Sequence, residues 1–262
     1  MHLSGLFIYP IKGCAGVSLA QSELVRRGLA FDRRFMLVDR HGVFITQREV
    51  PTLCRVLPEL RGSALAITAP AMPRLELPLE PSSGEPLAYQ VWGYGGHGWR
   101  VADGSRWFSE LLGSDVSLVF MPEHELRPVN PRRALPTDVV SFADGYPLLV
   151  ISEASLADLN ARLPEPITMA RFRPNLVVAD CEAYAEDGFA RVEIGDISMR
   201  GVKRCERCVV TTIDPASGAN GKEPLSTLSQ YRREDGKVWF GMNLVHDASG
   251  HLRLGDPVTV KP

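Results

Sequence analysis

The feature that most constrains this chain is the brevity of its apolar runs. LFIYP, RFMLVD, ALAIT, LELPL, YQVWG, SLVFMP, PLLVIS, NLVVAD and VWFGMNLV are each of strand length, and each is interrupted by Gly, Pro, Asp, Asn or another polar residue. With 23 glycines and 20 prolines to break them, such runs predict a mainly β chain with a few helices, of the α+β class. A length of 262 residues suits two modest domains better than one large one.

The first half opens with LFIYPIKG, a buried strand ending at Pro10, with Lys12 and Gly13 just beyond it where they either face a ligand or sit in water. RFMLVDRHGVFITQRE reads as a hairpin turning on Asp39 to Gly42. At its entrance stand Arg33 and Arg34. Neighbours on a strand point to opposite faces, so one of the two must face the interior or a cleft, where it needs an anion or a partner such as Asp32 or Glu49. WGYGGHGW lacks the lysine–serine pair of a phosphate loop and reads as a turn. Trp107, Phe108, Leu111 and Leu112 recur at helical spacing before Gly113, which predicts a helix over 105–112. Between Pro122 and Pro136 the arginines Arg127, Arg132 and Arg133 lie among prolines in an irregular, largely solvated connection, which divides the chain into domains 1–121 and 122–262.

In the second half, Asp144 and Gly145 form a loop before the strand PLLVIS, and that carboxylate either builds the turn or receives hydrogen bonds from a ligand. Ser152 caps a helix whose stripe is Leu156, Leu159 and Leu163. RFRPN brings a second pair, Arg171 and Arg173, to the mouth of a buried strand. RVEIGDISMRGVKR turns on Gly195 and Asp196, a short helix spans 225–231, and VWFGMNLVHDASGHLRLG reads as a hairpin turning at Asp247 to Gly250. The last residues form a strand.

A net charge of −2 offers no general attraction to nucleic acid or to an anionic membrane, so basic clusters act locally. MHLSGLFIYPIKG has neither the basic start nor the apolar length of a signal peptide or membrane span. Five cysteines, an odd number at low density, suit a reducing compartment, and the expected location is the cytoplasm.

Chemistry concentrates in RCERCVVTTIDPASG. Lys203, Arg204 and Arg207 surround Cys205 and Cys208 in sequence, and nearby cations favour the nucleophilic, metal-binding thiolate. Val209 to Ile213 then read as a β-branched strand, and Asp214 to Gly218 as a turn. A structural zinc site wants a second close Cys or His pair, and none exists. A thioredoxin-like dithiol caps a helix, whereas these cysteines lead into β-branched residues. Two inert buried thiols remain possible, although the adjacent cations speak against it. A single thiolate on a metal brought by a cofactor needs no further protein ligands.

The runs YPIKG, LAFDRRFMLVD, FITQRE, SEASLADLNARL, RFRPNLVV, CERCVVTTIDPASG and LGDPV, in this order and across nearly the whole chain, resemble the MOSC-domain proteins, in particular the amidoxime-reducing components and their bacterial relatives. The resemblance implies a β-rich MOSC N-terminal domain, then a β-barrel MOSC domain, with a molybdenum pyranopterin cofactor between them. It implies Cys208 as the molybdenum ligand and catalytic residue, Cys205 as its non-ligating partner, and cofactor contacts from Lys12, Arg34, Asp144, Arg173 and Asn175. Where the family often has a hydroxyl residue after the motif lysine, this chain has Gly13, which leaves one phosphate hydrogen bond without its donor. The 262 residues hold neither the cysteines of the iron–sulfur domain that some bacterial relatives carry nor the pyridoxal-phosphate-dependent domain of the eukaryotic cofactor sulfurases.

The expected activity is therefore reduction of a small N-hydroxylated substrate (an amidoxime, hydroxylamine or N-hydroxylated purine) by removal of oxygen. Electrons would come from a separate donor protein of ferredoxin, flavoprotein or cytochrome b5 type. The alternative is a sulfur-carrier or cofactor-handling module, with Cys208 as a nucleophile. A third reading is a β-rich protein whose arginines grip some other phosphate.

Overall fold

The computed structural model describes residues 1–261 and is built mostly of strands, with three α-helices. The order is β1 (His2–Ile8), β2 (Val17–Ser18), β3 (Gln21–Val25), β4 (Gly28–Leu29), β5 (Phe35–Asp39), β6 (Leu57–Arg61), β7 (Ala64–Thr68), β8 (Leu75–Pro78), β9 (Glu85–Val91), β10 (Tyr94–Arg100), α1 (Ala102–Leu112) and β11 (Val116–Phe120). It continues with β12 (Leu148–Ser152), α2 (Glu153–Asn160), β13 (Leu176–Ala179), β14 (Arg191–Ile194), β15 (Ile197–Glu206), α3 (Leu225–Tyr231), β16 (Arg233–Glu234), β17 (Lys237–His246), β18 (Gly250–Arg253) and β19 (Val258–Lys261).

The largest sheet runs β19-β14-β15-β17-β12-β13-β1-β2, with β16 added on β17. At its centre β12 and β13 are parallel, and both are apolar almost without interruption, as strands covered on both faces must be. β1 pairs antiparallel with β13, so the first strand of the chain lies in a sheet otherwise built largely from the second half. The core of this sheet joins Leu3, Leu6 and Ile8 to Val150, Leu176, Val178, Met199 and Leu244. A second core, from Ile11, Phe35, Leu53, Leu65, Phe108 and Leu118, lies under the sheets β5-β11-β10-β9 and β6-β7-β8 and the helix α1.

Several expectations hold. Ser152 Oγ accepts from Ser155 N to cap α2, Gly113 ends α1 in the left-handed region, and β14 and β15 turn on Gly195–Asp196. Others need correction. Val209 to Thr212 form a 3-10 turn, not a strand: the Thr211 and Thr212 hydroxyls donate to the carbonyls of Cys208 (2.9 Å) and Val209 (2.8 Å), which closes the backbone on itself. β18 does not fold back on β17 as a hairpin but pairs with β3, a long-range choice that no local pattern records. In WGYGGHGW only Trp92–Gly93 turns, and the remainder is β10. The run after Gly42 makes only isolated bridges, Val38 to Phe44 and Val43 to Gln90. α1 starts at Ala102, three residues earlier than its apolar spacing suggests, and accommodates Gly104 because a Cβ there would strike Leu118.

β15 carries Cys205 and leads to Cys208 just beyond its end, and its path depends on Gly201. A Cβ at that position would fall on the Phe189 carbonyl oxygen, while Gly201 N donates to Ala190 O (2.9 Å). Gly201→Ala is therefore expected to destabilise the protein by about 3 kcal/mol, read as a lowered urea midpoint, because backbone rather than a flexible side chain must give way.

Candidate active site

One cleft lies where the end of β1, the 46–48 segment, the 143–149 loop, the 171–175 segment and the 205–211 segment meet. It gathers Lys12, Asp144, Arg173, Asn175, Cys205 and Cys208 from positions up to 196 residues apart in sequence.

Lys12 is buried in the turn that follows β1 and donates from Nζ to Phe142 O (2.9 Å) and to Asp144 Oδ1. Burial lowers the Lys12 pKa, and Asp144 opposes that shift. Desolvation likewise disfavours charge on Asp144, but the Lys12 ammonium and hydrogen bonds from Lys12 and from Trp92 Nε1 (3.0 Å) outweigh it, so the carboxyl is held well below the usual range. The loop bearing Asp144 is fixed from behind by Arg127. Its guanidinium, which the sequence suggested lay in a solvated connection, is instead buried and donates to Ser141 O (2.9 Å), Ala143 O (2.6 Å) and Asp144 O (3.0 Å).

Arg33 and Arg34 separate. Arg33 lines the cleft, bonded to Asp32 (2.6 Å) and Asn175 Oδ1 (3.1 Å). Arg34 does not reach it: it is buried elsewhere, donates to Met121 O from Nε (3.1 Å) and Nη2 (2.5 Å), and pairs with Glu123 (2.6 Å). The cleft wall thus holds Arg33, while the Arg34 guanidinium, expected as a cofactor contact, is turned to Met121 and Glu123. Strand alternation misjudges the pair because Arg33 is not in a strand but in a turn, with φ +47°.

Asn175 is buried in the wall with both polar atoms committed, Nδ2 donating to Phe7 O (3.2 Å) and Oδ1 accepting from Arg33 and from Leu149 N (3.3 Å). It braces the cleft. Tyr9, which the sequence did not single out, is the other brace: the guanidiniums of Arg33 and Arg173 lie 4.3 and 4.2 Å from its ring centroid, and its hydroxyl donates to Pro174 O (3.0 Å). Burial pushes the Tyr9 phenol up to about 12. Its only signal was its place before the Pro10–Lys12 motif.

The cations expected around the thiols are distributed differently. Lys203 and Arg204 turn to Glu206 (3.9 Å), Glu234 (2.5 Å) and the Trp239 ring. Arg207 alone contacts a thiol, donating from Nη1 to Cys205 Sγ (3.0 Å), and from Nη2 to Phe172 O (2.8 Å). Cys208 is exposed and makes no side-chain hydrogen bond among the described residues.

The cleft is short of negative charge. Arg171 donates to Thr212 O (3.0 Å) and Arg173 to Cys14 O (2.6 Å), and among the described residues neither they nor Arg207 has a carboxylate partner. Arg207 Nε is buried without any partner, and desolvation lowers the Arg173 pKa. A cleft of this kind suits an anion. Among the described residues no three His, Cys, Asp or Glu side chains cluster to hold a metal by themselves, so a metal here would bring ligands of its own.

The Lys12–Asp144 pair generates a pH-dependent prediction. A carboxyl whose pKa is depressed on folding contributes stability that is complete above its unfolded value, about 3.9, and is lost as pH falls below it. Asp144→Asn is expected to cost about 1–2 kcal/mol at pH 7, less than a fully enclosed pair because the Asp144 side chain is 72% exposed. The difference in urea midpoints between the variant and the parent should be constant above about pH 5 and shrink progressively as pH falls below about 4.

With this geometry in place, comparison with known proteins is informative. Residues 1–115 match the MOSC N-terminal beta barrel domain, and residues 137–259 match the MOSC domain. The chain is 37% identical over 277 aligned positions to mitochondrial amidoxime reducing component 2 of Rattus norvegicus, covering 98% of this chain and 82% of that protein. It is 34% identical over 272 positions to mitochondrial amidoxime-reducing component 1 of Homo sapiens, covering 97% and 81%. The solved YUAD protein from Bacillus subtilis aligns over 98% of this chain and 92% of its own with a TM-score of 0.45 and 10% identity. Identity at this level over nearly the whole length, with both domains matched in order, means that the chain belongs to the MOSC-domain family that includes the amidoxime-reducing components.

Proposed function

We propose that this protein reduces N-hydroxylated compounds, namely amidoximes, hydroxylamines and N-hydroxylated purines, with a molybdenum pyranopterin cofactor held in the cleft. The observation that carries this reading is the exposed Cys208 thiol in one cleft with three guanidiniums that lack carboxylate partners, one of them with an orphaned buried Nε. The names of the relatives support the reaction class.

When bound, the cofactor supplies two-electron redox chemistry at a metal for which a soft thiolate is a suited ligand. Cys208 is the proposed ligand and catalytic residue. Arg171, Arg173 and Arg207 would hold the anionic groups, with Lys12 and Asp144 lining the same cleft and Asn175 bracing it. Arg34, paired with Glu123, lies outside the lining of this cleft. Overall, an N–OH group with two electrons and two protons gives N–H and water. The electrons would come from a separate donor protein of ferredoxin, flavoprotein or cytochrome b5 type. The cofactor would lie between the proposed domains, 1–121 and 122–262.

We place the protein in the cytoplasm because its five cysteines are free, and expect no nucleic-acid or membrane partner. No helix among the described residues is long and apolar enough to cross a membrane. A second reading, a sulfur-carrier or cofactor-handling module, is favoured by one observation: Cys208 is open to solvent and unengaged, as a persulfide-bearing nucleophile must be.

Elemental analysis of the purified protein separates the two. The reductase should carry about one molybdenum per chain, and Cys208→Ala should lose the metal together with turnover of 6-hydroxylaminopurine in the presence of an electron donor. Full metal and activity in that variant would overturn the assignment. A persulfide on Cys208 seen by mass spectrometry, with no turnover by the parent protein, would select the sulfur carrier.

A further inference from the structure

The tip of the β9–β10 hairpin is built against local preference. Val91 pairs with Tyr94, leaving a two-residue loop in which Trp92 has φ +49° and Gly93 φ +78°. A turn with both central residues at positive φ favours Asn, Asp or Gly at its first position, and a tryptophan there is sterically disfavoured. Core burial does not account for the choice, because Trp92 remains 47% exposed.

What the side chain does is local to the cleft. Its Nε1 donates to Asp144 Oδ1, the same oxygen that Lys12 reaches. The Arg48 guanidinium lies 4.8 Å from the Trp92 ring centroid, and the Phe44 ring stands 5.0 Å away at 53°. Arg48 and Asp144 both line the cleft, so the indole stands at its rim, with much of its surface open to water and its N–H fixed. An exposed aromatic surface held at a cleft mouth by a strained backbone is a ready stacking platform for a flat ligand.

We propose that Trp92 is a specificity-determining residue, on which planar aromatic or heteroaromatic N-hydroxylated substrates stack as they enter the cleft. This rests on the reductase reading for the identity of the ligand, and on the hairpin geometry for the residue. Small aliphatic hydroxylamines have no flat face to offer and gain nothing from it. Two variants divide the roles of the side chain. Trp92→Phe keeps a ring but loses the N–H, whereas Trp92→Asn removes the ring and suits the turn, so it should fold at least as well as the parent.

The test uses the holoenzyme and two readouts. In steady-state kinetics, Trp92→Asn should raise the KM for 6-hydroxylaminopurine about tenfold relative to the KM for N-methylhydroxylamine, and Trp92→Phe should restore most of that ratio. In equilibrium titration without an electron donor, 6-hydroxylaminopurine should quench the tryptophan fluorescence of the parent, and this quenching should vanish in both variants, while affinity by calorimetry falls only in Trp92→Asn. An unchanged KM ratio in Trp92→Asn, or no binding and no quenching in the parent, would overturn the proposal. If the purine binds and quenches through Trp92 but is not turned over, the reductase reading fails and the stacking site stands.

Discussion

Two guanidiniums share one phenol ring at the heart of this molecule. Their distances from the Tyr9 centroid limit the separation of the Arg33 and Arg173 centres to about 8.5 Å. At an effective dielectric constant of about 20, unit charges that close repel by about 2 kcal/mol. Asp32 neutralises one of them through a 2.6 Å ion pair and also accepts from Tyr9 N at 2.8 Å. Among the described residues the second charge has only a carbonyl to meet it, from Cys14. The fold thus maintains an uncompensated cation in a wall that also holds Arg171 and Arg207, and the backbone at both residues sits at positive φ, +47° at Arg33 and +56° at Arg173. Strain and repulsion concentrated in this way mark a place shaped for a ligand rather than for stability.

The Lys12–Asp144 part of the cleft is organised differently. Lys12 and Asp144 neutralise each other, and the loop behind them is tied by Arg127 through the carbonyls of Ser141, Ala143 and Asp144. That pair is therefore electrostatically settled, whereas the arginines of the cleft are left wanting an anion. Cys208 stands beside both, on a 3-10 turn whose hydroxyl-to-carbonyl bonds hold it at the end of β15.

Much of this was legible in the sequence, for identifiable reasons. Strand-length apolar runs located β5, β11, β12, β13 and β17, and Ser152 and Gly113 marked helix ends through chemistry that acts within a few residues. Lys12, Asp144, Arg173 and Cys208 were nominated by the resemblance to the MOSC-domain proteins, because the side-chain chemistry of each by itself left a structural role open. What stayed hidden depends on long-range choices. The partner of β18 is β3, a strand more than 200 positions earlier, and nothing in GHLR specifies it. Arg33, not Arg34, lines the cleft because both precede β5 and strand alternation does not govern them, and Arg127 was concealed by the prolines around it. Thr211 and Thr212 have the composition of a strand, yet their hydroxyls found carbonyls nearer than any neighbouring chain.

The placement of β1 and β18 has a mechanical meaning. β1 leads directly into Lys12 yet is paired with β13, and β18 from the end of the chain is laced to β3 near its beginning. The two halves are thus stitched across each other by backbone ladders rather than joined by a single linker. A jaw-like opening of one half against the other would have to break those ladders, so the cleft keeps its shape through the continuity of the sheet itself.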